Sequence, residues 1–448
     1  ADIWLRKTLP GTILRKELAK IAIESAEDLI AFTMSKGINI ADNSAQALRY
    51  RAGIAAYNEF PERVSNLVLI AAGKKKPSNE IQSKILMLNK EYDEWNKKHK
   101  KEKKKRDLRS YPPSLAELGT VMTKPWKIGP KFHKNSAFQE MCMNSDALYP
   151  LINENPELAS EIILLLLIQP PHRVNRFDRF SISEDGYSME KEYTWYPPLF
   201  TRGPFSYFLN TNFEKGLELI LKLVNFATQR WKEIKKAYNI KPFILSIKFK
   251  GNKTARLYGD NQVFYWHRQI SNVPFSVISA LMALEMWFYN NLENGKYNLV
   301  NSGIKKIISE SNSLALAGVL CTVAKKHIKY FESSLSPFII EPILQYWDFI
   351  HIFKDECHQM IVWSHKNSLL SKIAGKWHSY NHRKVTLEDI FFHIFLNSSA
   401  GKQFTKEIVY KSKRYLRKGK ISNDFKEYLE FLISKSNANN WEEKKDNK

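Results

Sequence analysis

Residues Gly259–Asp348 open with a short polar stretch, GDNQVFYWHR (259–268), and continue into PFSVISALMALEMWFYNN (274–291) and SLALAGVLCTVAKKHIKY (313–330). Both of the longer segments have helical length and are apolar almost all round. A helix without a polar face has to be wrapped by other helices, so this stretch predicts the middle of a large all-helical body. Ala315, Ala317 and Gly318 would let a neighbouring helix approach closely. Glu285, inside SALMALEMWF, is expected to be a buried carboxylate, which is costly without a partner. Arg268 and His267, on the polar lead-in, are its predicted structural partners.

Outward from this centre, helical apolar spacing recurs over residues 11–37, 44–60, 62–72 and from Pro77 onward, a first helical unit over 1–96. The run KKHKKEKKKRDLR (97–109) holds nine Lys or Arg against two acids. Such a block repels itself and buries nothing, so 97–113 is predicted to be a basic linker. A loop-rich helical segment follows over 114–204, with helices near 135–143 and 156–168. The main helical array is expected over 205–435, and it includes an amphipathic helix at 213–236 whose polar stripe is Glu214, Glu218, Lys222, Asn225 and Gln229. The one strand signal is FILSIKF, a Gly251-Asn252 turn and TARLY, which predicts a small β-hairpin inserted near 243–266. Further helices are expected at 342–352, 361–377, 387–396 and 425–434, with a disordered tail at 436–448. No repeat period appears, so the fold class is all-α, an irregular α-solenoid of antiparallel helix pairs with a small inserted β-hairpin.

The chain has 448 residues and 44% apolar composition, enough for a real core, and its 11 Trp, 20 Tyr and 26 Phe favour large packed interfaces. Cys142, Cys321 and Cys357 are too few and scattered for a disulfide framework, which predicts a reducing cytoplasm. The apolar run near Ile162–Ile168 is far short of the roughly 20 residues that span a bilayer. The start, ADIWLRKTLPG, has no initiator Met and no signal-peptide core, so a fragment of a longer protein is expected. The formal charge of +23 attracts polyanions, although an excess carried mainly by Lys is also what an AT-biased genome produces.

Catalytic signals are weak. KGNKTA and SSAGKQFT resemble the end of a P-loop but lack the leading Gly and the strand-to-helix setting. His351, His358 and His365 follow one another at seven-residue spacing, about 10.5 Å along a helix, too far to share a metal. His378 and His382 have ligand-like spacing without further ligands. Neither a metal nor a cofactor is predicted. A helical enzyme acting on a sugar or prenyl substrate would need Glu285 and Asp260 to converge.

Several segments carry a family resemblance: RGPFSYFLNTNFEKGLELILKLVNFATQRW (202–231), GDNQVFYWHR with SALMALEMWFYNNLENG, SESNSLALAGVLCTVAKKH, SPFIIEPILQYWD and WHSYNHRK (377–384). Together they resemble the long helical region of very large bacterial P-loop ATPases, similar to the STAND-type ATPases of antiviral defence. The resemblance implies a helical array that senses a ligand or restrains an ATPase domain. No Walker motif is present in this chain.

The primary expectation is therefore a non-enzymatic sensor or scaffold that binds a protein ligand or an ATPase domain. The candidate ligand-binding residues are Arg173, Arg176, Arg179, Tyr193, Trp195, Tyr196 and Arg202, of types that dominate protein hot spots. The alternative is nucleic-acid binding through Lys97, Lys98, Lys100, Lys101, Lys103, Lys104, Lys105 and Arg106, with Arg414 and Arg417 in KSKRYLRKGK (411–420).

Overall fold

The computed structural model describes residues 2–7, 11–35, 43–98, 119–123, 126–132, 134–144, 146–170, 184–190, 195, 197–249, 254–268, 273–351, 369–419, 421–437 and 440. The chain separates into two units, Ala1–Tyr238 with Asn272–Trp287, and Asn239–Ser271 with Phe288–Lys448. The fold is all-α with small β-hairpins between helices. No helix among the described residues is long and apolar enough to cross a membrane.

In the first unit, α1 (Asp2–Lys7) precedes the predicted helices, and α2 (Ile13–Met34), α3 (Asn43–Ala55), α4 (Pro61–Ala71) and α5 (Asn79–Lys98) follow the predicted spacing. α2 buries Ala19, Ala22, Ile23, Ala26, Leu29 and Ile30. The segment expected to be loop-rich instead begins with an antiparallel hairpin, β1 (Gly119–Thr123) and β2 (Trp126–Lys131), with a register break between Val121 and Met122. Gly129 and Pro130 read as loop residues, yet Pro130 is tolerated in a strand of a two-stranded ribbon, where an N–H can face away from the partner strand. After α6 (Ser136–Asn144) and α7 (Tyr149–Glu154), α8 (Pro156–Leu167) is capped by Asn155, whose side chain accepts from the Leu158 N–H at 3.0 Å. α8 is buried from Leu158 to Leu167 except at Glu161, as an all-apolar helix must be. α9 (Phe205–Thr211) leads into α10 (Phe213–Ala237), capped by Asn212. Asn225, expected on the polar stripe of α10, is buried, because α8, α9 and the 3-10 turn Glu184–Tyr187 all pack on this helix.

The second unit begins with the predicted hairpin, β3 (Ile244–Lys248) and β4 (Thr254–Tyr258), paired from Ile244 opposite Tyr258 to Lys248 opposite Thr254. Leu245, Ile247, Ala255 and Leu257 alternate inward. The strand stops at Tyr258 and does not run on to Trp266. Asp260 caps a helical turn, α11 (Asn261–Phe264), by accepting from the Gln262 and Val263 N–H groups at 3.2 Å each, and a 3-10 turn follows at Trp266–Arg268. Residues 275–287 of α12 (Phe275–Glu293) belong to the first unit and 288–293 to the second. Then come α13 (Tyr297–Glu310), α14 (Leu314–Lys326), α15 (Ser336–Ile339), α16 (residues 342–351), α17 (Leu369–His378), α18 (Asn381–Lys384), α19 (Leu387–Asn397), α20 (Gly401–Lys418) and α21 (Asn423–Lys435). α14 is buried at every position from Leu314 to Lys325, as its apolar sequence predicts.

Gly318 shows why α14 needed small residues. A Cβ built there would lie 2.1 Å from the Phe264 carbonyl oxygen and 2.9 Å from His267 Cε1. The 261–268 turn thus rests directly on the helix backbone. Gly318→Ala should therefore destabilise the protein by about 1–3 kcal/mol, as overpacking does elsewhere. The urea midpoint measures this, and an unchanged midpoint would refute the close contact.

Candidate functional site: a buried polar cluster and an exposed cationic helix

Four of the quoted segments, distant in sequence, meet inside the second unit. Asp348, at the end of SPFIIEPILQYWD, is the hub. Its carboxylate accepts from Lys325 Nζ at 2.7 and 2.6 Å, from the Tyr265 hydroxyl at 2.9 Å and from the Leu387 N–H at 2.6 Å. These contacts join α14, the turn after α11, α16 and the start of α19. The Lys325 side chain is 0% exposed. Burial pushes its pKa down, and Arg268 adds to the effect while Asp348 opposes it. An ion taken from water costs several kcal/mol even after relaxation. The five large aliphatics of α14, Leu314, Leu316, Val319, Leu320 and Val323, contribute on the order of 8–15 kcal/mol gross, so the helix stays inside despite its lysine.

His267 Nε2 lies 3.0 Å from Thr322 Oγ1, which itself donates to the Gly318 carbonyl at 3.0 Å. With its proton used there, the hydroxyl accepts, so Nε2 carries the imidazole proton. Burial, then Arg268, Arg383 and Lys325, hold the His267 pKa well below the ordinary value, and the ring is neutral. Arg268 and Arg383 clasp each other's segments: Arg268 Nη1 donates to the Arg383 carbonyl at 3.0 Å, and Arg383 Nη2 donates to the His267 carbonyl at 3.4 Å. Their guanidiniums lie over the rings of Tyr265 (5.4 Å) and Trp377 (4.8 Å) respectively. His351 stacks on Tyr265 with ring centroids 3.8 Å apart. His382 Nε2 is 2.8 Å from the Tyr289 hydroxyl, so the segment WHSYNHRK serves to join helices.

This cluster cannot act on an external substrate as it stands. Tyr265, His267, Lys325 and Asp348 are all buried, and the Asp348 carboxylate is saturated by donors. Among the described residues no group of His, Cys, Asp or Glu could hold a metal. Asp260 is committed to capping α11, and Glu285 is fully buried on α12 in the first unit. His267, Arg268 and Glu285 are each buried.

The predicted ligand-binding loop fares differently. Arg173, Arg176, Arg179, Tyr193 and Tyr196 lie outside the described residues. Trp195 is fully buried, its Nε1 donates to Asn144 Oδ1 at 2.6 Å, and its ring packs edge-on against Phe205. Gly203 allows this, since a Cβ there would fall 2.3 Å from the indole. Trp195 therefore packs the first unit and is not presented to a partner. Arg202 is half-buried, and burial lowers its pKa.

Of the cationic candidates, Lys97 and Lys98 are exposed at the end of α5, whereas Lys100, Lys101, Lys103, Lys104, Lys105 and Arg106 lie outside the described residues. Arg414 and Arg417 belong to α20, a helix the sparse apolar pattern of GKQFTKEIVYKSKRYLRK did not predict. Its inner face is Phe404, Ile408 and Ser412, pinned where Lys411 Nζ (3.0 Å) and the Tyr415 hydroxyl (2.8 Å) donate to the Glu341 carboxylate. Its exposed residues include Lys402, Lys406, Tyr410, Lys413, Arg414 and Arg417. At 100° per residue these six fall within an arc of about 120°. No acid of the described residues is paired with any of the five cations. No family model matches this chain, and no curated protein matches it.

Two outcomes follow from the buried cluster. Asp348→Ala strands the Lys325 charge and should cost about 3–5 kcal/mol, whereas the pair Lys325→Met with Asp348→Leu should cost less than the single change. Chemical denaturation of both variants checks the order. The second outcome concerns acid. The folded protein refuses protons that the unfolded chain takes up: His267 and His378 are held well below 6.5, and His382 is lowered to about 3, in each case by burial first and then by the neighbouring arginines. The unfolded state binds more protons across that window, so stability is full above pH 6.5 and falls as the pH drops towards 3. Melting temperature against pH should show this loss, and His382→Gln should make it shallower.

Proposed function

We propose that this chain is a non-catalytic helical scaffold that binds nucleic acid through the phosphate backbone, with α20 as the contact surface. One observation carries the reading: five cations share one exposed helix face, and no carboxylate of the described residues is paired with them. Several cations elsewhere are paired, as Lys325 with Asp348, Lys215 with Glu157 and Lys435 with Glu388. Unneutralised cations in a row gain by releasing the counterions condensed on a polyanion, which is the sequence-independent part of nucleic-acid affinity. The buried cluster supports the non-catalytic half of the reading, because its acid and base groups are spent on one another. A reducing cytoplasm fits the free, buried Cys142 and Cys321.

A second reading, a protein-ligand sensor attached to a STAND-type ATPase, is favoured by the large apolar side chains exposed on the first unit. Ile13, Leu14 and Ile21 on α2 and Leu86, Met87 and Trp95 on α5 are all exposed. A Walker A motif in the same reading frame of the neighbouring coding sequence would support it, and a frame without one would remove the ATPase link.

The nucleic-acid reading is tested by salt. Full engagement of five cations predicts a log-log slope of affinity against salt of about −4.5 on duplex DNA and about −3.5 on a single strand. Changing Lys406, Lys413, Arg414 and Arg417 together to Ala should flatten the slope to about −1 and weaken binding at low salt. A wild-type slope near zero, or no change in the variant, removes this function.

A further inference from the structure

Resting on that reading, we infer that the nucleic acid held by α20 is single-stranded and that Tyr410 is the platform on which one of its bases stacks. Tyr410 is 67% exposed. It lies eight residues after Lys402 and seven before Arg417, which places it about 12 Å and about 10.5 Å from them along the helix axis. It sits inside the cationic arc, and its ring makes no aromatic stacking or cation–π contact with the described residues. Three other tyrosines of this unit are engaged, Tyr265 with Asp348, Tyr289 with His382 and Tyr415 with Glu341, and Tyr297, also exposed, lies on α13 and outside the cationic arc.

Packing decides between strand forms. α20 is held between α19 and α21 and offers one face only. A helix reading a duplex has to enter a major groove about 12 Å wide and about 8.5 Å deep, which needs it free on its flanks. From outside the groove, a flat cationic face meets the sugar-phosphate rail of a duplex, where no base presents its π-face. A single strand offers phosphates to the flanking cations and an unstacked base to the ring between them. Aromatic stacking with cations on either side is how sequence-tolerant single-strand binders are built. An anionic lipid surface is the poorer fit, because membrane-lying helices bury their apolar face in lipid and here Phe404 and Ile408 are already buried in the protein.

The test uses the full chain, a labelled DNA single strand of about 16 nucleotides, the matching duplex and vesicles containing anionic lipid. Binding is titrated between about 50 and 200 mM salt. The single strand should bind more tightly than the duplex. Tyr410→Ala should weaken single-strand binding by about 5- to 150-fold while leaving the salt slope and the duplex affinity unchanged. Tyr410→Phe and Tyr410→Trp should keep wild-type affinity, since both retain a stacking face. Equal loss on both strand forms, no loss on either, a preference for duplex, or tighter adsorption to vesicles each overturns the single-strand assignment. The four-cation variant separates this from the reading beneath it. If that variant loses binding and Tyr410→Ala does not, only the stacking assignment fails. If it binds as wild type, phosphate contact by α20 fails as well.

Discussion

The second unit depends on one buried carboxylate. Asp348 is reached by an ammonium, a phenol and a backbone N–H from three other segments, and removing any one donor would leave a charge in a low-dielectric interior. Such a group is expensive unless every acceptor site is filled, which ties the relative positions of α11, α14, α16 and α19 to a single geometry. The surrounding arginines extend this constraint, since Arg268 donates to the Arg383 carbonyl and Arg383 to the carbonyl of His267. The aliphatic residues of α14 supply the burial free energy that keeps the arrangement inside.

Charge is therefore used in two ways in this unit. Inside, cations meet a carboxylate, carbonyls and aromatic rings, and His267 and His378 are kept neutral by burial and by the cations beside them. Outside, on one face of α20, five cations stand together with no ion pair to an acid of the described residues. The formal charge of +23 hides this difference, because composition counts an internal lysine and an external one alike. Only the external set can meet a polyanion.

How far the fold was legible follows from individual elements. α8, α12 and α14 were readable because a helix that is apolar all round has no other place to go, and β3 and β4 because their apolar residues alternate. α13 and α20 were not, since both are amphipathic with a narrow apolar stripe, and α20 buries little more than Phe404 and Ile408. β1 and β2 were hidden by Gly and Pro, which signal loops unless a partner strand is known. Trp195 was misread for a related reason: an aromatic residue in a Pro-rich segment has the composition of a binding surface, and only the close approach of Gly203 turns it inward.

The sequence by itself determined the helical class, the inserted hairpin and the burial of Glu285, His267 and Arg268, because local periodicity and the cost of exposing apolar surface act on neighbours in the chain. Tertiary structure alone decided which polar residues meet. Tyr265, Lys325, Asp348 and Leu387 are separated by up to 122 residues, and no local pattern specifies that they share one carboxylate. It decided too which of the many cations remain in water. Around Gly259–Arg268, the polar lead-in is a turn seated on the bare backbone of α14, a contact that depends on two distant segments coming within van der Waals reach.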